Sequence, residues 1–93
     1  MKTLEIITVR LDPRGEGPLL RELRTALDAQ RVSGDWVTVE LYRHATVRTD
    51  LSIHLRSESP STQGLPSSLG WRLAYALRDF GPTNHSAWVE EAT

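Results

Sequence analysis

TDLSIHLRSESPS, Thr49 to Ser61, is the stretch from which the fold can be read. Leu51, Ile53 and Leu55 alternate with Asp50, Ser52, His54 and Arg56 until serines and a proline end the run. A period of two is the mark of a strand with one apolar and one polar face. Just upstream, Val37, Val39 and Leu41 alternate in the same way with Trp36, Thr38, Glu40, Tyr42 and His44, and a short turn around ATVR joins the two runs. The pair reads as a β-hairpin.

Working outward, LEIITVRL (Leu4 to Leu11) is rich in β-branched residues and stops at DPRGEGP, so it reads as a first strand ended by a turn. Pro18 suits the first position of a helix, and Leu20, Leu23 and Leu27 follow at helical spacing, with Leu19 and Ala26 widening the stripe as far as VSGD. Beyond the hairpin, SESPSTQGLPSS has the composition of a loop. Leu69, Leu73, Ala76, Leu77 and Phe80 then mark a second amphipathic helix, closed by Gly81 and Pro82. In TNHSAWVEE, Ala87 and Val89 alternate against Ser86 and Trp88, as in a final strand.

The order β-α-β-β-α-β predicts an α+β, ferredoxin-like fold, with a four-stranded antiparallel sheet and both helices on one face. Val37, Val39, Leu41, Leu51, Ile53 and Leu55 are then assigned to the core beneath the helices. The other face is left without a lid, and must be wet or covered by a second subunit.

The 93 residues fit one domain spanning 1–93, and a chain this small gains from sharing a core in a dimer. With 39% hydrophobic and 25% charged residues it should fold, being far from the composition of disordered chains. A net charge of −1, with arginines spread from Arg10 to Arg78, argues against nucleic acid and anionic membranes as partners. The absence of cysteine excludes disulfides, thiolate catalysis and cysteine-ligated metals, and fits a cytoplasmic protein. Glu5 and Arg10 interrupt the N-terminal apolar run too early for a secretory signal, and no run of about 18 apolar residues occurs, so a soluble, untargeted chain is expected.

If the hairpin strands share faces with Leu41 opposite Ile53 and Val39 opposite Leu55, the reverse face sets Glu40 opposite His54, His44 opposite Asp50 and Thr38 opposite Arg56. A register shifted by two residues changes these partners but keeps Trp36, Glu40, Tyr42, His54 and Arg56 on one surface. Aromatic walls with a carboxylate, an imidazole and a guanidinium suit a flat, polar small molecule. His54 is the candidate general base, with Glu40 beside it to orient it. Trp36, Tyr42 and Arg56 would hold the substrate, joined by Trp88, which is out of phase with Val89 and so directed to the same face. The plainer alternative is that Glu40 and His54 are an ordinary cross-strand pair.

Other motifs carry less. RGEG before the first helix is either a phosphate cradle or simply a turn. His44, His54 and His85 lack the spacing of metal ligands, so no metal is assigned. Trp71 and Tyr75, one helical turn apart, suit a core edge or a dimer contact better than a cofactor box. Gly70 inside a helical pattern suggests the close approach of another backbone.

Val39-Glu40-Leu41-Tyr42-Arg43 and Arg56-Ser57-Glu58-Ser59 resemble the YELYR-like and W-E-S-like elements in the central hairpin of the antibiotic-biosynthesis-monooxygenase group of dimeric α+β barrels. Chain length and element order extend the resemblance. It implies a homodimer in which two sheets close into a barrel, making the uncovered face an interior. In the enzymes of the group that interior holds aromatic or polyketide-like substrates, and some oxidise them with oxygen and neither metal nor flavin. The haem-degrading branch is similar to a pattern with an asparagine in the first strand and a histidine on the second helix, and LEIITVRL and SSLGWRLAYALRDF contain neither. The tryptophan of the W-E-S-like element is also replaced, by Arg56 or Ser57.

The expectation is therefore a homodimeric small-molecule-binding barrel without a cofactor, monooxygenase-like if it is an enzyme. The alternative is a non-catalytic ligand-binding or regulatory homodimer of the same fold. A third option, an RNA-binding sheet, needs a basic surface that the charge balance does not provide.

Overall fold

The computed structural model of the chain describes residues 2–33, 37–58 and 64–91. Its strands are β1 (Lys2–Arg10), β2 (Val37–Arg43), β3 (Asp50–Glu58) and β4 (Thr83–Val89), and its helices are α1 (Glu16–Ser33) and α2 (Ser68–Leu77). The strands form one antiparallel sheet in the order β2-β3-β1-β4, which is the ferredoxin-like arrangement. Of the registers that alternation left open, the hairpin takes the one with Leu41 paired to Ile53, Val39 to Leu55, Glu40 to His54 and Thr38 to Arg56.

Alternation along each strand sorts the side chains. On the packed side, Ile7, Val9, Leu51, Ile53 and Leu55 meet Leu19 and Leu23 of α1 and Leu69, Leu73, Ala74 and Leu77 of α2. Leu41 departs from the expected core, being 45% exposed, while Val37 and Val39 are half-buried against it. The reason is topological. β2 is an edge strand, and a groove lined by Leu20, Leu23, Val39, Leu41 and Ile53 separates it from α1. The stripe of α1 is likewise rotated from the expected one, since Leu19 and Leu23 are buried and Leu20 is exposed.

Local chemistry fixes the ends. Asp12 caps a single 3-10 turn, Pro13–Gly15, by accepting from the Arg14 amide at 2.9 Å, and α1 follows from Glu16, so Pro18 lies within its first turn and not at its first position. RGEG is thus a turn running into a helix. Gly15 N donates to Asp12 O at 2.8 Å, and Glu16 sets a carboxylate, bonded to Arg43, where a phosphate would sit. Ser67 caps α2 by accepting from Gly70 N at 3.0 Å. Beyond α2, Gly81 has φ of 155° and lies so close to the Arg10 carbonyl that no Cβ fits.

Candidate functional site

The face of the sheet away from the helices is built from rows of four residues in the order β2, β3, β1, β4. Thr38, Arg56, Leu4 and Trp88 form one row, Glu40, His54, Ile6 and Ser86 the next, and Tyr42, Ser52, Thr8 and Asn84 the third. Glu40, Tyr42, His54, Arg56 and Trp88, five of the six residues expected at a site, therefore share this face. Trp36, the sixth, lies outside the described residues.

The hydrogen bonds on this face differ from the expected ones. Glu40 stands opposite His54, yet its carboxylate accepts from the Tyr42 hydroxyl at 2.9 Å and from Arg56 Nε. Tyr42 first, and Arg56 after it, hold the Glu40 carboxyl below its ordinary range, and Glu40 in turn raises the Arg56 guanidinium. His54 Nε2 pairs instead with Ser52 Oγ at 2.9 Å, its ring lies 4.6 Å from that of Tyr42, and its Nδ1 is sealed from solvent without a partner. Glu40 thus orients Tyr42 and Arg56, and the direct Glu40–His54 contact expected of a base and its orienter is not formed. Trp88 donates Nε1 to Ser86 Oγ at 2.9 Å, which fixes the indole while leaving the residue 57% exposed.

The middle row divides the face into two hollows. One, of about 630 Å³, is lined by Leu4, Thr38, Arg56 and Trp88, with Lys2 and Glu58 at its rim. The other, of about 460 Å³, is lined by Thr8, Tyr42, Ser52 and Asn84, with Arg10 and Asp50 at its rim. Arg10 is bonded to Asp50 through Nε at 2.8 Å and through a terminal nitrogen at 3.2 Å, so that rim is already neutralised.

The opposite face carries a polar cluster that sequence reasoning missed. Glu5, 4% exposed, accepts from the Ser67 amide at 2.9 Å, from the Ser67 hydroxyl, and from His85 Nε2 at 3.0 Å. Trp71 closes the cluster edge-on against His85, with ring centroids 5.4 Å apart. Gly70 is required here because a Cβ would collide with the Glu5 carboxylate and come within 3.0 Å of His85 Nε2. The close approach that this glycine signalled is thus made by side chains and not by a backbone. Because Glu5 stands between Ser67 and His85, the three do not form a nucleophile–base–acid relay. They bolt the start of α2 to β1 and β4. The available signal was phase, since Glu5 shares its face with Thr3, Ile7 and Val9.

The third histidine, His44, shapes the hairpin turn. Its Nδ1 accepts from the amides of Thr46 and Val47 at 3.1 and 3.0 Å, while its own amide donates to Asp50 O at 2.9 Å. Among the described residues no three His, Asp or Glu side chains converge as metal ligands, and no helix is long and apolar enough to cross a membrane.

A four-stranded antiparallel sheet with two helices on one face and an organised open face defines the class as ferredoxin-like α+β. Within that class the chain has the fold of solved structures described as antibiotic biosynthesis monooxygenases. It is similar to Rv0793 from Mycobacterium tuberculosis, at 14% identity and a TM-score of 0.69 over 100% of this chain and 98% of that one. It is similar to a protein described as an antibiotic biosynthesis monooxygenase, at 13% identity and a TM-score of 0.66 over 100% and 99% of the two chains. A variant of SnoaB, a cofactor-independent oxygenase from Streptomyces nogalater, matches at 17% identity and a TM-score of 0.64 over 99% and 95%. No protein-family model matches the sequence, and no curated protein sequence matches it.

Proposed function

We propose that the open sheet face is the inner wall of a small-molecule pocket closed by a second copy of this chain, and that the protein is a cofactor-independent monooxygenase-like enzyme for an aromatic or polyketide-like substrate. The observation that carries this reading is the face itself, which joins exposed Trp88 and Tyr42 to half-buried Leu4 and Ile6 around an ordered polar network. An outward surface of this composition is the pattern of a binding wall. The reaction class is taken by analogy from the fold shared with a cofactor-independent oxygenase.

In such a reaction the substrate is its own reductant. An acidic methylene carbon gives up its two hydrogens, or a phenol gives one from its hydroxyl and one from the ring carbon that is oxidised; one atom of dioxygen enters at that carbon as a carbonyl oxygen, and the other leaves as water. An acidic phenol or enol ionises near neutral pH unaided, so the protein's task is to bind it as the oxyanion and present it to oxygen. His54 orders the polar row that faces that oxygen through its bond to Ser52 Oγ, while Glu40 keeps Tyr42 and Arg56 in place. Tyr42, Arg56 and Trp88 hold the rings.

The test is oxygen uptake with a panel of hydroxylated polycyclic aromatics, run beside a tryptophan fluorescence titration. Uptake that depends on His54 is expected. Saturable quenching without uptake would instead establish a binding protein, and the absence of both would remove the pocket.

A further inference from the structure

A group that hydrogen-bonds a ligand must have an atom to offer, and the His54 imidazole has none to spare. Nδ1 is sealed from solvent, and Nε2 is engaged by Ser52 Oγ at 2.9 Å. A buried N–H without an acceptor is rarer than a buried lone pair without a donor, which places the proton on Nε2. His54 is then the donor and Ser52 Oγ the acceptor. That leaves the Ser52 O–H uncommitted.

Ser52 lines the 460 Å³ hollow and lies in the polar row Tyr42, Ser52, Thr8 and Asn84. We propose that Ser52 is the specificity-determining contact of the pocket, its hydroxyl oriented by His54 to donate to an acceptor oxygen of the ligand, either a ring carbonyl or an ionised phenol. This rests on the open face being the pocket. Glu40 does not compete for Ser52, because its carboxylate is occupied by Tyr42 and Arg56. The hydrogen bond received from the imidazole polarises the hydroxyl and strengthens the one it gives. His54 therefore acts through Ser52 as a positioning residue.

Two probes of like shape separate the contact from general burial: naphthoquinone, which carries acceptor oxygens, and naphthalene, which has none. Binding of each to the full-length chain is followed by heteronuclear NMR titration for wild type, Ser52→Ala and Ser52→Thr, with the His54 ring nitrogens observed directly. The wild type should prefer the quinone, and Ser52→Ala should weaken quinone binding about five- to tenfold, the worth of one hydrogen bond, while naphthalene is unaffected. Ser52→Thr should restore the preference, and the His54 signals should show the proton on Nε2. Equal quinone binding by wild type and Ser52→Ala, or a proton on Nδ1, overturns the assignment and leaves the pocket standing. A wild type that binds neither ring overturns the pocket, and the assignment with it.

Discussion

The sheet carries a glutamate and a histidine on each of its faces, and the two sets differ in kind. Under α2, Glu5 and His85 bond directly, with Ser67 completing the carboxylate's partners in a nearly dry site. On the open face, Glu40 and His54 are directly cross-strand and yet each bonds elsewhere, Glu40 to Tyr42 and Arg56, and His54 to Ser52. Enclosure accounts for the contrast. A buried carboxylate must take every donor within reach, because an unmet lone pair there is costly. An exposed one settles with the strongest donors, here a phenol and a guanidinium. The packed set is therefore structural, and the open set is free to be functional.

The contrast is sharpest in stability. Glu5→Ala leaves His85 and the Ser67 amide without their acceptor, and should cost about 3 kcal/mol, read from urea unfolding. Gly70→Ala drives a methyl group into the same carboxylate and should cost about 2 kcal/mol. His54→Ala removes a partly exposed ring with one hydrogen bond and should cost only about 1 kcal/mol. If His54→Ala cost as much as Glu5→Ala, the division between a structural and a functional face would fail.

Affinity should rank the residues the other way. Trp88→Ala should weaken binding of an aromatic probe about tenfold, while leaving the unfolding midpoint near that of wild type. Glu5→Gln should leave the affinity unchanged at temperatures where the chain stays folded. The smallest effect concerns Glu40. Its carboxyl is held below the ordinary range by Tyr42 and Arg56, so its contribution to stability is complete above the unfolded-state value and is lost as pH falls through the folded-state one. Urea midpoints of wild type and Glu40→Gln should therefore differ most near neutral pH and converge in acid, and a gap that widened in acid would contradict the assigned partners.

The hairpin was legible from sequence because its two strands alternate without interruption, so the shared face followed, while alternation alone left the register open by two residues. Leu41 was misread because alternation gives the side of a residue and not its distance from the sheet edge, and β2 is at the edge. Glu5 was overlooked because a lone carboxylate in a β-branched strand resembles solvent-facing polarity until its phase with Ile7 and Val9 is counted. Gly70 did signal crowding, but nothing in a helical pattern names the neighbour across it. The open face was legible as a set of residues and not as a network. Which donor Glu40 takes depends on side-chain reach across the pleat, which the residue order does not encode.

Whether a second copy covers the open face can be read by light scattering on wild type and on Ile6→Arg, which places a charge at the middle of that face. Wild type should have twice the chain mass, and the variant should be a folded single chain. A wild type with the mass of one chain, or a variant that stays dimeric, would contradict closure of the face by a second copy.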